Sequence, residues 1–180
     1  MSNESPDQRP ELIAEIIRAF DVVTLGDGIT LHQALAIDDR KSSEEQWAAR
    51  RLDSERRWQD VPRTALVECQ TAPSFLDQKG FVYYLPAFMV RGLEDLDHDT
   101  GVSFDSCVYH LLHDPQNSLR KSEPASIAAR YGFTDAQCRA IARFLRFVVG
   151  PDDEFATEHA TTLQAVAKWE KFANEVVPTT

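Results

Sequence analysis

Ser74-Phe75-Leu76-Asp77-Gln78-Lys79-Gly80-Phe81-Val82-Tyr83-Tyr84-Leu85-Pro86-Ala87-Phe88-Met89-Val90 is the longest apolar and aromatic run in a chain of 180 residues, and the fold turns on how it is read. Asp77 to Gly80 has the composition of a turn between two hydrophobic anchors. The second anchor, Phe81 to Val90, runs ten residues without a charge before Arg91. That is about half of what a bilayer span requires, so the run marks a buried core. Gly80 is expected to close the turn, and Pro86 to occupy the first turn of a helix reaching about Leu96, where a missing N–H costs nothing. Phe81 to Leu85 then reads as a short extended segment, which would point Tyr83 and Tyr84 to opposite sides.

Helical periods flank this stretch. Before it, Leu12, Ile13, Ile16, Ile17 and Phe20 recur at helical spacing after Pro10, with Glu11, Glu15 and Arg18 on the other face, and Gly26-Asp27-Gly28 ends the pattern as a turn. Thr30 is placed to cap a helix through Leu31, Leu35 and Ile37. The charge-rich segment from Ser42 to Trp58 reads as one longer helix, in which Trp47 and Trp58, eleven residues apart, project from nearly the same side. Pro62 interrupts it and the pattern restarts through Ala65, Leu66 and Cys69.

Beyond the stretch, Ser103 begins a helix through Cys107, Val108, Leu111 and Leu112, and residues 114–126 read as a surface connection rich in Pro, Ser and Asn. Thr134-Asp135-Ala136-Gln137 is a capping box. The helix it opens is apolar over most of its circumference, with Arg139, Arg143 and Arg146 on the remaining stripe at i, i+4 and i+7. A last helix carries Leu163, Val166, Trp169 and Phe172. The fold expected is a single all-α domain over residues 10–177, six to eight helices packed orthogonally, behind a mobile lead-in at 1–9.

Composition narrows the function classes. With 29 acids against 19 bases the formal charge is -10, so nucleic acid would be repelled by most of the surface, and a protein partner with a basic surface is the natural complement. Residues 119–150 run the other way, with six bases and two acids, and this positive segment should meet acidic neighbours of its own chain or else an acidic partner. Three widely spaced cysteines, Cys69, Cys107 and Cys138, argue against a disulfide framework and for a reducing compartment. No signal peptide and no membrane span are evident, so a cytoplasmic protein is expected.

Chemistry-bearing patterns are few. Cys107, His110 and His113 recur every three residues with Asp114 following, but such a row precesses around a helix, and histidines near a helix C-terminus more simply face its carbonyls. Asp95, Asp97, His98 and Asp99 lack the spacing of a calcium loop. Asp38-Asp39 and Glu44-Glu45 are adjacent pairs that diverge by roughly 100° on a helix and cannot serve one acid–base site. No nucleophile elbow or phosphate loop is present. No catalytic residue, metal or cofactor is therefore assigned.

The candidate binding residues are Asp77, Tyr83, Tyr84 and Arg91 in the central stretch, with Lys79 beside them, and Trp47, Glu55 and Trp58 in the tryptophan helix. Asp77, Lys79 and a tyrosine hydroxyl lining a pocket beside Arg91 would make a site, and the Trp47/Arg51/Glu55/Trp58 face a binding surface, since tryptophan and arginine are enriched at interface anchors. The alternatives are an Asp77 that caps its own turn and tryptophans packed on the core with an Arg51–Glu55 pair at the rim.

From Ser74 to Met89 the chain resembles an uncharacterised bacterial family, a domain of unknown function marked by Ser-Phe-Leu-Asp-x-x-Gly-Phe-x-Tyr-Tyr-Leu-Pro-Ala-Phe-Met. Weaker likeness extends to Gly28-Ile29-Thr30-Leu31, to Asp53-Ser54-Glu55-Arg56-Arg57-Trp58 and to Phe133-Thr134 with residues 137–145. The resemblance implies no activity. Two function classes follow from the residues: a non-enzymatic cytosolic interaction or regulatory module, or a small-molecule-binding protein or enzyme with a pocket between the 74–89 stretch and the Trp47–Trp58 helix.

Overall fold

Asp77 decides where the central helix begins. Its backbone is extended and its side chain accepts the Gly80 N–H, so it is an N-cap, and the helix runs from Gln78 to Glu94 straight through Pro86. The structure is a computed structural model and describes residues 8–96, 101–114, 117–121, 123–149 and 156–175. Among these are nine α-helices: α1 (Arg9–Phe20), α2 (Leu31–Asp38), α3 (Ser43–Arg50), α4 (Arg63–Glu68), α5 (Gln78–Glu94), α6 (Asp105–Leu112), α7 (Pro124–Tyr131), α8 (Asp135–Val148) and α9 (Ala156–Glu175). Short 3-10 turns stand at Trp58–Asp60 and Ala72–Ser74. A hairpin of β1 (His113–Asp114) and β2 (Asn117–Lys121) separates α6 from α7.

The all-α reading holds, with local corrections. Residues 81–85 are helical, not extended, and Gly80 sits inside the first turn of α5 instead of closing a separate one. Twelve of the 17 residues of α5 are buried. A helix buried on all sides carries no amphipathic period, and its sequence cannot be told from a strand by alternation. Pro86 removes one interior hydrogen bond and costs about 3 kcal/mol. Burial of Phe81, Leu85, Phe88 and Met89, each 0 or 1% exposed and worth roughly 1.5–3 kcal/mol, outweighs it.

Around α5 the buried apolar side chains form one continuous cluster that draws on every α-helix except α3. Trp169 of α9 is 1% exposed and donates its indole N–H to the Leu111 carbonyl at the end of α6, at 2.8 Å. The α8 expectation is met closely. Thr134 and Gln137 close a reciprocal capping box, and Cys138, Ile141, Phe144 and Leu145 are buried while the arginine stripe stays outside. Among the described residues of 114–126 lie the end of β1, all of β2 and the start of α7, where a plain connection was expected.

The tryptophan helix is shorter than its sequence suggests. α3 ends at Arg50, and Trp58 begins a separate 3-10 turn. The reason is non-local: Asp53 turns its carboxylate to the backbone N–H of His32, 2.9 Å away, at the first turn of α2. Arg50 meanwhile donates to the Gly28 carbonyl at 2.5 Å and to Gln33 Oε1 at 2.9 Å. Residues 51–57 follow these anchors and leave the helical path.

Candidate functional site

Three segments remote in sequence meet at the N-terminal end of α5. Asp77 Oδ1 accepts the N–H of Gly80 at 2.8 Å and that of Ile29 at 2.9 Å, so one carboxylate caps α5 and holds the loop entering α2. Gly28 and Gly80 make the approach possible. A Cβ on Gly80 would stand 2.4 Å from the Ile29 carbonyl oxygen, and one on Gly28 2.8 Å from the Gly80 nitrogen. Lys79 reaches across to form an exposed ion pair with Asp27. The ammonium lowers the Asp27 pKa, first through its hydrogen bond, and Asp27 raises that of Lys79 in return.

Both tyrosines point inward. Tyr83 is 0% and Tyr84 2% exposed, with their rings edge to face at 4.8 Å. Tyr83 donates its hydroxyl to the Glu55 carbonyl at 3.2 Å. Burial raises both phenols, Tyr83 to about 12, so each stays protonated. Glu55 thus enters through its backbone. Trp58, 3% exposed, donates its indole N–H to the Phe20 carbonyl at 2.8 Å and ties the end of α1 to the same junction.

The other two candidates stand apart. Arg91 lies 14 residues beyond Asp77, about 21 Å along a helix, and pairs with Glu94 at 2.7 Å. It shares no site with Asp77. Trp47 is 61% exposed on α3, a helix with no buried residue, and the Arg50 guanidinium lies 5.7 Å from its ring centre. Leu52, just past the helix, is 65% exposed.

Two polar pairs escaped the sequence reading. His32 Nδ1 lies 2.7 Å from Asp53 Oδ1, and the Asp53 side chain is 3% exposed. A buried carboxylate orienting an imidazole is the backing half of a hydrolytic triad. Here the other ring nitrogen faces the Glu68 carboxylate at 3.7 Å, and the adjacent Cys69 is fully buried, its thiol pushed up to about 12 chiefly by desolvation. The pair fixes the start of α2.

Ser74 Oγ and His110 Nε2 are 3.3 Å apart, a nucleophile–base spacing, but Nδ1 of His110 is buried with no partner to orient the ring. Burial lowers the pKa of His110. Neither pair was accessible to spacing arguments, since 21 and 36 residues separate the partners.

Among the described residues no group of three or more His, Cys, Asp or Glu side chains is arranged to hold a metal ion. His113 stacks on Tyr109 at 4.5 Å, and Asp97, His98 and Asp99 lie outside the described residues. Cys69, Cys107 and Cys138 are free, buried thiols, Cys138 pushed up to about 11 mainly by desolvation. Among the described residues no helix is long and apolar enough to cross a membrane.

A cavity of about 720 Å³ opens elsewhere, with α8 as its floor and α1 and α9 as walls. Leu12, Ala142, Phe147 and Ala173 make its base, and Arg139, Arg143 and Arg146 run along it. The positive stripe therefore meets acids of its own chain. Arg143 pairs with Glu15 of α1, and Arg146 Nε stands 3.7 Å from Glu170 of α9.

These features describe an all-α protein in which Asp77 and Gly80 hold α2 against α5 and Trp58 ties in α1, with a cavity on another face. The chain matches the family of unknown function DUF6714 over residues 8–173 and belongs to it. No curated protein and no solved structure matches the chain.

Proposed function

We infer that the protein is a non-enzymatic cytosolic interaction module that recognises a partner with a basic surface. One observation carries this reading: Asp77, Tyr83 and Trp58 each bond within the chain and Tyr84 is buried, while Trp47 is left 61% exposed on a helix that buries nothing. Tryptophan is among the residues that most often dominate binding energy at interfaces. A cationic partner side chain would complement both its ring face and the chain's charge of -10. The alternative, a pocket between the central stretch and a continuous Trp47–Trp58 helix, has less support, because α3 stops eight residues before Trp58 and the two tryptophans lie on separate elements.

The test is capture from a native lysate with the tagged chain and with Trp47→Ala, each at low and high salt. A stoichiometric basic protein that salt releases and that Trp47→Ala fails to hold supports the reading. Equal capture by both chains, or capture indifferent to salt, refutes it.

A further inference from the structure

We propose that the α1/α8/α9 cavity binds a free organic anion, a single carboxylate on an apolar body of roughly ten carbons. Its size comes first: about 720 Å³ falls within the range of roughly 300–1,000 Å³ typical of small-molecule sites. Its chemistry is two-layered. Phe147, partly exposed, is the apolar side chain that the cavity presents, with Leu12, Ala142 and Ala173, all at most 5% exposed, packed beneath. Above that base the charged groups are guanidinium donors on the α8 stripe, faced by one carboxylate on each wall.

The protein's own glutamates indicate what the arginines accept. Glu15 and Glu170 approach Arg143 and Arg146 from opposite walls, so the floor already receives carboxylates from two directions. These contacts leave donors over. A guanidinium carries five N–H groups in a planar fork. Arg146 meets Glu170 at 3.7 Å, longer than a hydrogen bond, and its side chain is 56% exposed. Arg143, 47% exposed, makes its contact with Glu15 through one nitrogen. A ligand carboxylate can take bidentate bonds from either arginine while its apolar body lies against Phe147 and the aliphatic stems of the stripe. Exchange with Glu170 replaces one exposed ion pair by another of the same kind, so little is lost on entry.

The site is independent of the Trp47 face, and neither reading requires the other. The experiment is titration calorimetry and thermal shift on the full chain with decanoate, decanol and inorganic phosphate. The same measurements follow for Arg143→Gln/Arg146→Gln and for Ala173→Leu, which fills the base. Decanoate should bind with a midpoint below about 100 µM and raise Tm, while decanol binds at least about tenfold more weakly and phosphate not at all. Both variants should weaken decanoate at least about tenfold. If Ala173→Leu fails to fold, the arginine pair decides alone, because both side chains are exposed.

Equal binding of decanol, or undiminished binding by the arginine pair, overturns the proposal. So does silence towards decanoate at millimolar concentration, whether or not the chain sediments with phosphatidylglycerol vesicles or binds an acidic amphipathic peptide.

Discussion

Replacing Gly80 by alanine sets two physical rules against each other. Gly80 lies in the first turn of α5, and helix propensity alone favours alanine there by up to about 1 kcal/mol. The new Cβ would stand 2.4 Å from the Ile29 carbonyl oxygen, a backbone atom that cannot rotate away. Relieving the contact means moving the α2 entry loop from α5 by the better part of an ångström. Overpacking of this kind costs about 1–3 kcal/mol. The same movement stretches the Asp77–Ile29 bond, now 2.9 Å, worth about another 1 kcal/mol.

The balance is a destabilisation of roughly 1–3 kcal/mol. In a chain of this size that lowers Tm by about 2–12 °C. Urea unfolding followed by circular dichroism measures it, with Gly26→Ala as control. Gly26 has φ +60° and nothing within 4 Å of a new Cβ, so that variant carries only the left-handed backbone penalty, about 1 kcal/mol. If Gly80→Ala melts at or above the parent temperature, the α2–α5 junction is not the tight contact described.

Other perturbations test separate parts of the structure. Trp58→Ala should cost about 3–5 kcal/mol by emptying a buried site and removing the indole's bond to the Phe20 carbonyl, whereas Trp47→Ala should change stability by less than about 0.5 kcal/mol; the two urea midpoints report the difference. His110 is held below its ordinary pKa of 6.5 by burial, so below that pH the unfolded chain takes up a proton that the folded chain refuses. Stability should therefore fall as pH drops from about 7 towards 5, and His110→Phe should flatten that slope. The thiols of Cys69 and Cys138, raised to about 12 and about 11, should react with an aromatic disulfide reagent only at the rate of unfolding, which denaturant-dependent labelling would reveal.

What could be read directly from the chain was whatever depended on neighbours in sequence. Thr134 to Gln137 closes its capping box within four residues, and the arginines of α8 follow a spacing set by the helix alone. α7 was legible by the same rule and was overlooked: Pro124 occupies its first turn and Gly132, at φ +68°, ends it. The start of α5 misled because Pro86 looked like a first-turn proline, although Asp77 supplied a capping carboxylate nine residues earlier. The end of α3 could not be read locally at all, since it depends on bonds from Arg50 and Asp53 to residues about 20 positions away. The signature's role shifted for the same reason. Asp77 caps its own helix through Gly80, but its second partner is Ile29 and the partner of Tyr83 is Glu55, and only the folded chain brings these together.

The three tryptophans divide the molecule optically. Trp58 sits where α1 meets the 51–57 segment, Trp169 where α9 meets α6, and Trp47 in water. Acrylamide should quench Trp47 at once and leave the two indoles with backbone partners emitting at shorter wavelength. Chains retaining only Trp58 or only Trp169 would each report one half of the core. Coincident loss of the two signals would show that α9 and the α1–α5 region melt as a single cooperative unit.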